Sequence, residues 1–168
     1  MSEVEEILDL VNENDEVIGT IPRSEYHRIE AEKLGYIRGV ELFIRNDKGQ
    51  LWVPRRTLGK RIAPGGLDYS MGGHIESGES YEAAALREIK EELNLDLNED
   101  DLEFIKKFGP GTIPYFRKLY LYKSNIVPDY NPDDYTEYYW LTPAELLARL
   151  DAGDIAKQSL RETVLALL

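Results

Sequence analysis

Three carboxylates are set unusually close together in this chain. Glu88, Glu91 and Glu92 fall within about one helical turn of each other in the stretch GGHIESGESYEAAALREIKEELNLDL, which begins at Gly72. Like charges three and four residues apart on a helix repel by about 0.2–0.5 kcal/mol per pair. Something should offset that cost, and oxygen ligands of this kind suit a hard divalent cation such as Mg2+ or Mn2+. The competing reading is a solvated helix face, the usual meaning of an EIKEE segment in an acidic protein.

The element that must carry them is a helix. Ser80 is a suitable N-cap, and Tyr81 to Leu93 is rich in Ala, Leu, Glu and Lys, all good helix formers. At about 100° per residue the three glutamates share one sector, with the small Ala84 one turn earlier. Ala85, Leu86, Ile89 and Leu93 form the adjacent stripe that should be buried. Upstream, ILDLVNENDEVIGTIPR reads as two short strands around a turn at Asn12 to Asp15. Ser24 to Leu34 is a weak helical segment or loop. Strands follow at Gly39 to Arg45 and Gln50 to Arg55, joined at Asn46 to Gly49, with a short strand at Leu67 to Met71. Beyond the helix, strands are expected at Leu102 to Phe108 and Phe116 to Ser124. The segment YYWLTPAELLARLDAG contains a capping box at Thr142 and Glu145, Pro143 at the first helical position, a Leu141–Leu146 staple and a terminating Gly153. A last helix, KQSLRETVLALL, has an apolar face for the sheet. This order is α/β, without the regular alternation of a doubly wound sheet.

Composition narrows the function. A chain of 168 residues, 42% hydrophobic, suits one core and one domain. Its formal charge of −12 disfavours nucleic acid polymers and anionic membrane surfaces, although a local cation can still reverse the field for a small phosphorylated ligand. The absence of cysteine excludes disulfides, thiolate metal sites and a cysteine nucleophile. No apolar run approaches the roughly 18 residues of a membrane span, and the acidic start MSEVEEILDL is unlike a signal peptide. A cytoplasmic address is therefore expected. The acidic termini, the YYW segment and the final apolar helix are compatible with a homodimer and equally with a monomer's own packing.

The spacing around the glutamates resembles the Nudix hydrolase box, G-x5-E-x7-R-E-φ-x-E-E-x-G-φ, with φ aliphatic. Gly73, Glu79, Arg87, Glu88, Ile89, Glu91, Glu92 and Leu95 match in register. At residue frequencies of roughly 5–10%, such coincidence arises less than about once in a million windows. Asn94 replaces the last glycine, and it is the residue next most tolerant of the left-handed conformation expected at a helix end. The resemblance implies an α/β/α sandwich with a mixed β-sheet, a single domain over residues 1–168 with a hairpin-like extension over about 1–24, and the box over 73–95. It also implies that Glu88, Glu91 and Glu92, with the carbonyl of Gly72, hold Mg2+ or Mn2+. Arg87 and Glu79 would brace the loop and helix, and Gly73 would permit a close backbone approach or a sharp turn.

The reaction implied is attack of water on one phosphorus of a nucleoside diphosphate linked to another moiety, with Glu91 or Glu92 accepting the proton. Asp133, Asp134 and Glu137 are further acidic candidates, read first as a solvated turn. A narrower similarity joins WVPRRTLGKRIAPGGLDYSMGGHIESGES and DLVNENDEVIG to the branch related to type 1 isopentenyl-diphosphate isomerase. In that branch the residues matching Arg55, Arg56 and Lys60 face a substrate diphosphate, and His74 matches a metal-site histidine. Isomerisation itself needs a cysteine where Gly72 stands and a carboxylate on the strand where PYFRKLYLY offers Arg117. Both are missing, so hydrolysis is the expectation; isomerase-like activity and an inactive nucleotide-sensing module are the alternatives. Tyr69, Tyr115 and Phe116 are candidate stacking partners for a base.

Overall fold

The computed structural model describes residues 4–111 and 113–168; the first three residues of the predicted extension and Thr112 lie outside the described residues. Strands β1 (Ile7–Val11) and β2 (Val17–Pro22) pair antiparallel as a separate two-stranded sheet. After a 3-10 turn at Arg23–Glu25 and the short helix α1 (Arg28–Ala31), the main sheet is built from six strands. These are β3 (Ile37–Arg45), β4 (Leu51–Arg56), β5 (Met71–His74), β6 (Glu103–Phe108), β7 (Tyr115–Lys123) and β8 (Tyr135–Leu141). The order β6-β7-β3-β4-β8 is mixed: β3 and β7 run parallel and the other pairs antiparallel. Helix α2 (Tyr81–Leu93) follows β5, while α3 (Pro143–Asp151) and α4 (Leu160–Leu165) close the chain.

Strand alternation makes the layers. Val40, Leu42 and Ile44 of β3 point with Trp52 of β4 toward Ala84, Ala85, Ile89 and Leu93 of α2. Phe43 of β3 points the other way, into a second cluster with Leu51, Val53, Leu119, Leu121, Leu146, Leu160 and Val164, beneath α3 and α4. A sheet buried on both faces is thus enclosed by helices, an α/β/α sandwich. Leu86, placed in the buried stripe by periodicity, is only half-buried.

One irregularity positions the site. Strand β3 is matched to β5 over Gly39–Leu42 but to β4 only where Arg45 meets Leu51. Beyond that point β4 splays away and β5 fills the gap. The buried Ser70 hydroxyl spans the split, accepting from the Ile44 amide at 2.9 Å and donating to the Trp52 carbonyl at 2.6 Å. The short strand expected at Leu67 to Met71 therefore lies later, at Met71–His74, with Leu67 making only isolated bridges to Arg55 and Ala156. Strand β8 is one that the local pattern does not mark; the aromatic-rich YTEYYWL runs antiparallel to β4 at the sheet edge.

Candidate active site

Helix α2 forms as its residues require. The Ser80 hydroxyl accepts from the Ala83 amide at 3.0 Å, and Asn94 caps the far end in the left-handed region, φ 53° and ψ 35°. The Asn94 side-chain amide donates to the Asp129 carbonyl at 2.6 Å, a tether that glycine would lack.

Glu88 is buried, 8% exposed, directly beneath Gly73 of β5. A Cβ added at Gly73 would overlap the Glu88 carboxyl and lie 2.6 Å from its Oε1. The glycine is therefore a steric necessity of close approach rather than of turning, since its backbone is paired with Val40. Arg87 is the brace: Nε and Nη2 donate to Glu79 Oε2 and Oε1 at 2.9 and 2.8 Å, and Nη2 also reaches the His74 carbonyl at 3.1 Å. Its Nη1 donates to Glu88 Oε1 at 2.9 Å and reaches Glu91 Oε2 at 3.5 Å. Glu79 further accepts from the Glu76 amide at 2.8 Å, so one carboxylate ties loop to helix. Burial opposes ionisation of Glu79, but the Arg87 hydrogen bonds, the Glu76 amide and the Arg87 charge together outweigh it and hold its carboxyl below the usual range.

The other carboxylates are under-compensated. Burial raises Glu88 to about 7 despite the Arg87 charge. Burial, followed by the charges of Glu88 and Asp68, raises Glu92 to about 8; its side-chain partner is the Tyr135 hydroxyl, which donates to Oε2 at 2.9 Å. Glu91 is exposed at the rim, with 59% of its side chain accessible. All three line one cavity of about 820 Å³ together with Gly72 and Gly73. Among the described residues no three acidic or histidine side chains converge on one point; Glu88 is turned to Arg87 and Glu92 to Tyr135. The donor set nonetheless fits a hard divalent cation. It is all oxygen, among the described residues its carboxylates have only Arg87 as a cationic partner to favour their ionised form, and it sits under a strand with a glycine at the point of contact.

The basic residues divide. Arg56 and Lys60 line the cavity, Arg56 donating to Asp68 Oδ2 and Lys60 to Asp134 Oδ1, each at 2.6 Å. Arg55 is not brought there, contrary to expectation. Neighbouring residues of a strand face opposite ways, and its guanidinium is consumed by Asp154 at 3.0 and 3.1 Å and by Glu137 at 3.1 Å. His74 lines the cavity, its ring edge-on to Tyr115 with Nε2 3.3 Å from the hydroxyl. Burial, then the charges of Arg23, Lys157 and Arg87, lower its pKa to about 3, so it is a neutral ring. Of the acidic candidates only Asp134 reaches the cavity; Glu137 lies on β8, exposed and paired with Arg55. Tyr69 and Tyr115 line the cavity and Phe116 does not, being packed edge-on against Tyr36.

Several lining residues were given no site role by the sequence. Glu41 of β3 and Arg117 of β7 form a buried pair at 2.6 Å, with Glu41 Oε2 accepting from the Thr163 hydroxyl at 2.9 Å. The N-terminal hairpin reaches the cavity through Glu6 and continues into it with Arg23, which pair at 3.0 Å. Lys157 enters from the α3–α4 loop. Each depends on long-range topology rather than on a local motif.

A mixed-sheet α/β/α sandwich with a braced glutamate helix beside a polar cavity defines a class of phosphoanhydride hydrolase. The NUDIX domain model matches residues 35–162, and the chain belongs to the Nudix hydrolase family. A Nudix hydrolase from Nostoc sp., itself uncharacterized, is 46% identical over 95% of this chain and 94% of its own length. One from Deinococcus radiodurans is 43% identical over 95% of this chain and 92% of its own. The crystal structure of DR0079 from D. radiodurans superposes with a TM-score of 0.84 at 44% identity, covering 95% of this chain and 97% of that one. A MutT protein from Methanosarcina mazei, 20% identical with a TM-score of 0.60, shares the fold over 79% of this chain and 92% of its own. In general terms the protein is a divalent-metal-dependent enzyme acting on pyrophosphate bonds of small molecules. Among the described residues no helix is long and apolar enough to cross a membrane.

Proposed function

We propose that this enzyme cleaves the diphosphate of a nucleoside diphosphate linked to another moiety, by attack of water on phosphorus. Glu88, Glu91 and Glu92, with the Gly72 carbonyl, would hold Mg2+ or Mn2+. When bound, the cation would neutralise diphosphate oxygens and acidify water. The observation that carries this reading is the pair of carboxylates, buried Glu88 and half-buried Glu92, facing a cavity that also holds Arg56 and Lys60. Glu88, now bonded to Arg87, would help hold the cation, while Arg87 stays on Glu79 and keeps the helix in place. Glu91, at the rim, or Glu92, beneath it, takes the proton from the attacking water. Arg56 and Lys60 orient the substrate oxygens.

Isomerisation is disfavoured by a specific contact. A side chain at Gly72 would begin 2.9 Å from the Tyr69 ring, so the cysteine position has no room for one. The test is magnesium-dependent release of phosphate or nucleotide from a panel of diphosphate compounds, isopentenyl diphosphate included, repeated with Glu91→Gln and Glu92→Gln. At least one of these should lose about 100-fold or more in kcat. Full activity in both variants would refute the assigned roles. Tight ligand binding without turnover would identify a sensor instead, and a double-bond shift would restore the isomerase.

A further inference from the structure

The cavity's cations are not equally committed. Five lysines and arginines line it among the described residues: Arg23, Arg56, Lys60, Arg117 and Lys157. Four have a carboxylate at hydrogen-bond distance: Arg23–Glu6 at 3.0 Å, and Arg56–Asp68, Lys60–Asp134 and Arg117–Glu41 at 2.6 Å each. Lys157 has only Asp68 Oδ1, at 3.5 Å. That carboxylate is already satisfied, accepting from Arg56 at Oδ2 and from the Tyr69 amide at Oδ1, 2.8 Å away. The ammonium of this half-buried side chain rests over the Tyr69 ring, 4.9 Å from its centroid, a weak hold for a cation.

Its backbone, by contrast, is fixed. The Lys157 amide donates to the Leu67 carbonyl at 3.0 Å, and the Leu67 amide donates to the Ile155 carbonyl at 2.8 Å. A pinned backbone with an uncommitted head group is pre-organised for a ligand. The ammonium also lies in a telling place. Successive residues of β5 face opposite sides: a Cβ at Gly73 would meet Glu88, whereas one at Gly72 would lie 3.4 Å from Lys157 Nζ. Lys157 and the glutamates therefore flank one glycine dipeptide from its two faces and open into the same cavity.

We propose that Lys157 is a substrate-binding residue whose ammonium takes phosphate oxygens of the diphosphate on the face of β5 opposite Glu88. This rests on the hydrolase reading above. The experiment measures calorimetric binding of methylenediphosphonate, a non-hydrolysable diphosphate, with magnesium, to the full chain and to Lys157→Met, Lys157→Arg and Lys48→Met. Lys48 sits on the Asn46–Gly49 turn, outside the cavity lining, and controls for the change in net charge. Lys157→Met should weaken binding about tenfold or more, Lys157→Arg should recover most of it, and Lys48→Met should leave it unchanged. In turnover the Met variant should raise KM more than it lowers kcat, with an unaltered melting temperature. Equal affinity for Lys157→Met and Lys48→Met, or no binding by the unmodified protein, overturns the proposal. If the unmodified protein binds the diphosphonate through Lys157 yet turns over no diphosphate, the hydrolase reading fails while the binding site stands.

Discussion

Replacing Gly73 with alanine tests the geometry at its tightest point. The added methyl would overlap the Glu88 carboxyl, 2.6 Å from Oε1, and cannot be absorbed by the strand, which is paired with Val40. Glu88 must move, yet it is buried and hydrogen-bonded to Arg87 at 2.9 Å. Overpacking of this kind costs about 1–3 kcal/mol, and at about 2–4 °C per kcal/mol for a chain of this size the melting temperature should fall by roughly 2–12 °C. Function should suffer more than folding. A displaced ligand carboxylate should lower kcat by about 100-fold or more and weaken magnesium binding. Gly19→Ala on β2 is the control: its nearest neighbour would be Leu10 Cδ1 at 4.0 Å, so stability should stay within about 0.5 kcal/mol and activity should not change. Steady-state kinetics and magnesium titrations on protein verified as folded by thermal melts make the comparison. A Gly73→Ala enzyme with kcat within threefold of the parent would show that Glu88 need not lie under β5.

Arg87→Lys cannot reproduce the bidentate contact to Glu79 at 2.8 and 2.9 Å; it should lose about 1–3 kcal/mol in denaturant melts, and an unchanged midpoint would remove Arg87 as the brace. Burial opposes ionisation of Asp15, but hydrogen bonds from Lys107, Arg38 and Tyr81 outweigh it and hold its pKa below 3.8. The stability it contributes is therefore fully present above about pH 4 and is lost as pH falls through the lowered folded value. Asp15→Asn, which tolerates the φ of 60° found there, should flatten the melting temperature against pH below 4, and a slope identical to the parent's would refute the assignment. Asn94→Ala loses both the left-handed tolerance and the bond to Asp129, and should cost about 1–2 kcal/mol; a neutral result would show that the helix end is not held by that residue.

What could be read from the sequence was what short-range physics decides. Helix α2 ends where the Ser80 cap and the left-handed Asn94 place it, and the Thr142–Glu145 capping box forms as written. Local pattern failed where a distant partner decides. The local pattern ends a short strand at Met71, yet Gly72 and Gly73 are strand because β4 splays from β3 and leaves an edge to fill. Strand β8 alternates only weakly because it lies at the sheet edge, where three of its first four residues are exposed. Arg55 and Arg56 are chemically alike, and only the facing of β4 and the position of Asp154, far along the chain, separate the structural arginine from the cavity one.

The same split between local and distant determinants explains how a chain of charge −12 can receive a polyanion. Four of its five cavity cations among the described residues, all but Lys157, are held one by one against carboxylates drawn from remote segments, Glu6, Asp68, Asp134 and Glu41, so little free positive charge is displayed before substrate arrives. On the proposed reading, binding would be an exchange of partners: phosphate oxygens would replace protein carboxylates around these cations, and Glu88 and Glu92 would turn from Arg87 and Tyr135 to hold a divalent ion. Such exchange avoids desolvating lone charges in either state. Lys157 and Glu88 then lie on opposite faces of β5, where the two adjacent glycines Gly72 and Gly73 leave room for them.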